Sequence, residues 1–239
     1  MNYYFLLEDE KSFLSILPIW LDFMEFGCTR VQQLSDVCSN NYVLESGHGI
    51  TRLETETIFK TIDTLIDSPD IIDKLVIIAD AEEIGFQERK TRIREKINNY
   101  YSSIELPCDI EIFVCNRCIE TWLLGCKGIS NYQTENIPIE LSAHYDFYDI
   151  ENNNPELMGK PLTHNSTVAT YHFQYLHDML LDISLKEHKR ALSYRKNKVG
   201  CTIYPKYFEG MLKRATTTTD ISSFKEFYDF IIAESKNNN

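Results

Sequence analysis

The stretch Leu75-Val76-Ile77-Ile78-Ala79-Asp80-Ala81-Glu82-Glu83 decides the fold of this chain. A short apolar run without alternation is typical of a strand that is buried on both faces of a parallel sheet. Ligands bind at the carboxyl ends of such strands, where Asp80 and Glu82 follow. Two carboxylates this close repel each other unless a cation neutralises them. The alternative is a solvated loop whose acids favour the first turn of the next helix.

Strands and helices alternate on both sides of this stretch. We predict strands over residues 2–8 and 110–115 and helices over 11–26 and 84–104. This alternation predicts an α/β fold with a mainly parallel sheet flanked by helices. In the helix over 84–104, the spacing places Ile93 and Ile97 on the inner face and puts five basic residues on the outer face: Arg89, Lys90, Arg92, Arg94 and Lys96.

The pattern changes after Ile129. Residues 130–167 are rich in Asn, Tyr and Pro and predict a loop-rich bridge. Amphipathic helices are predicted over 168–184, 207–214 and 224–232. The chain therefore divides into an α/β domain over residues 1–128 and a loop-rich bridge with a mostly helical C-terminal extension over residues 129–239.

The charge is strongly acidic but uneven. A net charge of −12 argues against broad affinity for nucleic acid. From Lys186 to Arg214, however, the chain has nine basic residues and only two acidic ones, Glu187 and Glu209. Such a segment can contact phosphates, or it can be a solvated face or dock onto the acidic half of the chain. Within it, the residues we expect to contact a nucleic-acid backbone are Arg195, Lys196 and Lys198.

The cysteines and the apolar runs indicate the cellular compartment in which the protein is expected. The chain has seven cysteines, and the one CxxC pair, Cys115 and Cys118, has no second pair at zinc-site spacing. Buried thiols in a reducing compartment are therefore expected. No apolar run reaches the roughly 20 residues that a membrane helix needs, and the N-terminus lacks the features of a signal peptide. These observations predict a cytoplasmic protein.

Three further groups of polar residues follow predicted strands. Glu8 is the first acid after the apolar run of the strand over 2–8. His48 follows a short predicted strand over 42–44 and lies between two glycines in Ser46-Gly47-His48-Gly49. Asn116 and Glu120 are four residues apart, so they share a helix face if a helix begins near Asn116. Right-handed crossovers would bring these strand ends to one edge of the sheet. The alternative for His48 is a turn histidine without chemistry.

The order of these motifs resembles the Toprim domain over residues 1–128. Glu8 is similar to the Toprim glutamate after the first strand, and Ile78-Ala79-Asp80-Ala81-Glu82 is similar to the second acidic motif, with Glu in place of its second Asp. Ser46-Gly47-His48-Gly49 falls where Toprim proteins often carry a small-residue turn. Asn116-Arg117-Cys118-Ile119-Glu120-Thr121-Trp122-Leu123-Leu124 resembles a signature of RloB-like and related Toprim proteins of bacterial defence loci.

The resemblance implies hydrolysis of nucleic-acid phosphodiesters with Mg²⁺ or Mn²⁺, ions that carboxylate oxygens suit better than zinc. It implies that Asp80 and Glu82 bind the metal and that Glu8 is a further ligand or the general base. Glu120 would complete a second metal site. All four acids, Glu8, Asp80, Glu82 and Glu120, are therefore candidate catalytic and metal-binding residues.

The resemblance also implies partners. Asn116 would orient the second metal site and contact nucleic acid, and His48 would contact phosphate or donate a proton. The substrate would be DNA or RNA. Related defence proteins often lie beside an ABC-type or SMC-like ATPase, as in OLD-like and PARIS-like pairs, so an ATPase partner and an anti-phage role are expected. A homo-oligomer is possible.

Two alternatives remain open. Glu82 replaces the usual Asp, and Glu8-Asp9-Glu10 has no glycine, both of which favour a catalytically inactive Toprim-like adaptor held in an ATPase assembly. A different α/β phosphotransferase that uses Asp80 would need a phosphate loop, and the chain has no Walker-type glycine pattern.

Overall fold

The computed structural model of the chain describes residues 1–127, 139–186, 194–195 and 198–238. A five-stranded parallel sheet in the order β2-β3-β1-β4-β5 forms its centre. The strands are β1 (Tyr3–Leu7), β2 (Thr29–Arg30), β3 (Asn41–Ser46), β4 (Lys74–Asp80) and β5 (Asp109–Cys115). The predicted α/β fold with a parallel sheet and a helical C-terminal half is confirmed.

The two central strands are buried as their sequences predict. All five residues of β1 are buried, and so are residues 75–79 of β4. Leu7 lies opposite Ser46 of β3 on one side and Ile78 of β4 on the other. This register brings the carboxyl ends of β3, β1 and β4 to the same edge of the sheet, which we call the carboxyl edge.

The helices before β5 are α1 (Ser12–Phe23), α2 (Ile50–Arg52), α3 (Ile58–Ile66) and α4 (Phe86–Tyr100), with a π-helical turn at Leu53–Thr57 between α2 and α3. Ile93 and Ile97 of α4 are buried against the sheet, as predicted. The prediction that Arg89 lies on the outer face of α4 is wrong, because its side chain is only 5% exposed.

The chain forms two compact units. The first unit comprises residues 1–114 and 226–239, and the second comprises residues 115–225. These units differ from the predicted division at residues 128 and 129 in two ways. Residues 115–127 belong to the second unit, and the last part of helix α9 (Ser222–Asn238) belongs to the first.

The C-terminal residues of the first unit complete its core. Phe227 and Phe230 pack against Phe113 of β5, with ring centroids 5.5 and 4.9 Å apart. The Glu234 carboxylate accepts a hydrogen bond from the Tyr3 hydroxyl at 2.7 Å and pairs with Lys74 at 2.9 Å. Residues more than 200 positions apart therefore share one core.

The second unit contains α5 (Ile119–Leu123), α6 (Ile139–Phe147), α7 (Val168–Lys186) and α8 (Pro205–Thr217). His172 of α7 is fully buried: its Nδ1 accepts from the Thr121 hydroxyl at 2.8 Å, and its Nε2 donates to the Met158 carbonyl at 3.0 Å. Burial lowers the pKa of His172 to about 4. This histidine is therefore neutral near pH 7. Among the described residues, no helix combines the length and the apolar character that crossing a bilayer requires.

Candidate functional site

Glu8 is held at the carboxyl edge by its own backbone. Its amide donates to the Ile78 carbonyl at 2.9 Å, and its carbonyl accepts from the amide of Gly49 at 2.9 Å. The chain is thus tied to the end of β4 on one side and to the loop after β3 on the other. The Glu8 side chain reaches across to β4, where its Oε2 accepts the amide hydrogen of Asp80 at 2.6 Å.

The surroundings of Glu8 favour its protonated form. The pKa of Glu8 is raised to about 7, mainly by burial and to a smaller extent by the nearby Glu82 and Asp9 carboxylates, against the opposing effects of the Asp80 amide and Arg89. A carboxyl group with a pKa near 7 readily exchanges a proton at neutral pH. A cation bound beside it would favour the charged form.

Asp80 and Glu82 follow from β4 as the sequence predicts. Asp80 is the last residue of the strand. Glu82 has a backbone φ of 49°, in the left-handed region that residues with a side chain seldom adopt. Such backbone strain is often found at functional sites. The structure therefore brings Glu8, Asp80 and Glu82 together at the carboxyl edge, as predicted from their positions after β1 and β4.

A buried arginine pairs with one acid of this edge. The Arg89 Nη2 lies 3.5 Å from the Glu82 carboxylate, and Nη1 pairs with Glu54. Glu54 is 3% exposed and also pairs with Arg92 at 2.9 Å and Lys96 at 2.6 Å. The Arg89 Nε is buried and has no hydrogen-bond partner among the described residues. Arg89 thus connects Glu82 to a buried ion-pair cluster.

The sequence reasoning missed both Glu54 and Arg89. Burial alone would raise the pKa of Glu54, but hydrogen bonds from Lys96 and Arg89 outweigh it and hold that pKa below its ordinary value. Thr51 and Glu54 have the spacing of a capping box, yet the helix is preceded by Gly49 without a side-chain cap. The polar residues of this cluster come from two separate helical segments, so no local pattern signals the pairing.

His48 lies at the same edge, in a turn that requires glycine beside it. A Cβ at Gly47 would approach a Leu53 methyl group to 2.5 Å and the Leu7 carbonyl oxygen to 3.1 Å. His48 itself has a φ of 59°, and its Nδ1 lies 2.8 Å from the Glu10 carboxylate. Its ring is exposed, so it is accessible to a ligand.

The second unit holds the remaining predicted acid. Helix α5 begins at Ile119, so the condition under which Asn116 and Glu120 would share a helix face is not met: Asn116 precedes the helix. The backbone amide of Asn116 donates to the Ser223 hydroxyl at 3.2 Å. Glu120 is 6% exposed and accepts from the Tyr194 hydroxyl at 3.0 Å. Its membership of a common site with Glu8 stays a prediction.

The structure describes two of the three residues near position 195 that are predicted to contact nucleic acid. Arg195 and Lys198 exchange two backbone hydrogen bonds of 2.8 Å and close a tight turn, and both side chains are exposed. Lys196 lies outside the described residues. A phosphate-binding role for these cations is compatible with their exposure and stays a prediction.

Within the described residues, no group of three or more His, Cys, Asp or Glu side chains is arranged to hold a metal ion. Comparisons with protein-family models, with curated proteins and with solved structures find no match. The similarity to Toprim proteins therefore rests on the sequence motifs.

Proposed function

We propose that this protein is a Mg²⁺- or Mn²⁺-dependent nuclease that hydrolyses nucleic-acid phosphodiesters at the carboxyl edge. One observation supports this most strongly: the half-buried Glu8 accepts the amide hydrogen of Asp80 near Glu82, and its pKa is raised to about 7. Concentrating carboxylates in a partly buried place is unfavourable without a cation. Because every candidate ligand here is an oxygen, a hard divalent ion fits the group better than zinc.

The number of acids fits magnesium better than calcium. Mg²⁺ usually keeps several water ligands and is bound through one or two carboxylates and the phosphates of its substrate. A site made of Asp80 and Glu82, with Glu8 behind them, matches that need and does not require a cage of protein ligands. The absence of a three-ligand group among the described residues is compatible with such an open site.

The residues of the edge have separate roles under this proposal. Asp80 and Glu82 would hold a divalent ion, which would supply Lewis-acid chemistry to the scissile phosphate and to a bound water. Arg89 would limit the negative charge that Glu82 adds to the site. Glu8 would be a third ligand or would accept the proton of the attacking water. His48 donates a proton to the leaving oxygen.

The experiment is a cleavage assay with matched aspartate variants. Asp80→Ala should abolish Mg²⁺- or Mn²⁺-dependent cleavage of DNA or RNA, whereas Asp36→Ala, which removes an exposed carboxylate elsewhere in the first unit, should not. The thermal shift caused by Mn²⁺ should disappear in the same variant. Full activity in folded Asp80→Ala would reject the site.

We further propose that the protein acts in the cytoplasm with an ABC-type or SMC-like ATPase in anti-phage defence. A net charge of −12 makes the chain a poor autonomous binder of nucleic acid. Activity should therefore depend on the partner. Strong cleavage by the chain alone at physiological salt would contradict this dependence.

A second candidate function is a catalytically inactive adaptor in such an assembly. The observation that favours it is the pairing of Glu82 with Arg89, which already neutralises one carboxylate of the edge. An adaptor would show no Mn²⁺-dependent thermal shift, and Asp80→Ala would leave its assembly with the ATPase unchanged.

A further inference from the structure

A cavity of about 610 Å³ lies in the first unit, within the size range of ligand-binding sites. Side chains of β3, of the segment after β2 and of helix α3 with its preceding turn line it. It reaches the carboxyl edge, because His48 lines it and the neighbouring Gly49 amide is bonded to the Glu8 carbonyl. We call it the β3 groove.

The lining of the β3 groove carries an excess of positive charge. Three exposed cations, Arg30, Arg52 and Lys60, face two acids, Glu45 and Glu56. Glu56 is shared by Arg52, at 3.1 Å, and Lys60. Glu45 accepts a hydrogen bond from the Tyr4 hydroxyl. The described residues provide no ion pair for Arg30, so its charge is available to a ligand.

The floor of the groove offers backbone hydrogen bonds. The Tyr42 carbonyl accepts from Val31, whereas the Gly47 amide bonds to β1, so alternate residues of β3 face opposite sides. Strand β2 pairs only with Asn41 and Tyr42. In the described part of the chain, the amide and carbonyl of Leu44 therefore face the groove without a neighbouring strand.

The walls add the remaining groups that a nucleotide needs. Gln32 presents an amide that both donates and accepts hydrogen bonds, and the half-buried Leu34 supplies apolar surface. The Gln33 amide already donates to the Asp36 carboxylate at 3.2 Å. Cations for phosphates, amides for base edges and apolar contacts for base faces are the combination that single-stranded nucleic acids require. An acidic peptide would match the charge, but the continuity with His48 favours a phosphodiester.

We propose that the β3 groove binds single-stranded nucleic acid, with phosphates at Arg30 and Lys60, and leads the strand to His48 and the carboxyl edge. Binding is independent of catalysis. Delivery to the carboxyl edge rests on the proposed nuclease function.

The test measures binding in EDTA, so that failure of the nuclease function does not affect it. The fluorescence anisotropy of a labelled 12-nucleotide DNA or RNA strand gives Kd over a range of salt. Arg30→Gln/Lys60→Gln should weaken binding at least about tenfold at low salt. The slope of log K against log salt should fall by about 1.4, since each phosphate contact on a single strand contributes about 0.7. Arg94→Gln, outside the groove, is the matched control.

A second variant should have the opposite effect. Glu56→Gln frees Arg52 and Lys60 for phosphates, so strand binding should tighten several-fold, while the thermal midpoint changes little because exposed ion pairs contribute little stability.

Three outcomes would overturn the proposal. They are an unchanged Kd and salt slope in Arg30→Gln/Lys60→Gln, loss of binding only in Arg195→Gln/Lys198→Gln, or displacement of the strand by AMP or an acidic peptide at matched charge concentration. Loss of strand binding in the groove variant, with a normal Arg94→Gln control, supports the groove even if no cleavage is ever detected.

Discussion

The half-buried carboxyl of Glu8 should make the first unit lose stability as the pH rises. In the unfolded chain Glu8 ionises near 4.5, whereas in the fold its pKa is about 7. Between these values the folded state keeps a proton that the unfolded state has released, so the free energy of unfolding falls with rising pH. At 1.36 kcal/mol for each pH unit, the full loss above pH 7 is about 3 kcal/mol.

The variant Glu8→Gln isolates this effect. Glutamine keeps an oxygen that can accept the Asp80 amide hydrogen but cannot ionise. Compared with the wild type, the variant should be nearly equal in stability at pH 4.5 and more stable by about 3 kcal/mol at pH 8. Glu95→Gln, the same change at an exposed position of α4, should show no such trend.

The assay is denaturant unfolding from pH 4.5 to 8, with Trp20 as the reporter of the first unit in a Trp122→Phe background. A stability difference that does not vary with pH would refute the reasoning about Glu8. Saturating Mg²⁺ should reduce the difference at pH 8, because ion binding to the charged wild-type site adds about 2.7 kcal/mol at one hundred times Kd.

Three other results are expected. Glu54→Gln leaves the buried Arg89 without a full counter-charge, and should lower the unfolding free energy of the first unit by about 3 kcal/mol or more; a loss under about 1 kcal/mol, measured by guanidinium titration, would argue against the cluster. Gly47→Ala should destabilise by about 1–3 kcal/mol through overpacking, measured in the same way against wild type. His172 should make the second unit lose up to about 3 kcal/mol as the pH falls from 6.5 to 4, because the unfolded state gains a proton that the fold excludes; an equal pH dependence in His172→Gln, followed by Trp122 fluorescence, would contradict this.

The sequence predicted the sheet well because its signal is local. An unbroken apolar run such as residues 75–79 fits only a strand covered on both faces, and the acids that follow such runs must lie at strand ends. The register of β1 against β4, in which Leu7 lies opposite Ile78, places Glu8 and Asp80 at the same edge.

The errors concern partners that are far apart in the chain. Arg89 is a charged residue at a helix position for which the spacing predicts exposure to solvent. Only the approach of Glu54 from another helical segment makes its burial favourable. The division at residue 128 failed to include residues 226–239 in the first unit, because no local pattern in helix α9 reveals which sheet its phenylalanines cover.

The contribution of Phe227, Phe230 and Glu234 to the core around Phe113 constrains how the protein can be made. Ribosomes add about 5–20 residues per second, and most domains begin to fold while the rest is still being synthesised. Here the outer face of β5 can be covered only after Phe227 and Phe230 have been synthesised, roughly a hundred residues after Phe113. A nascent chain stalled before them should therefore engage chaperones, and a fragment cut at residue 128 should aggregate.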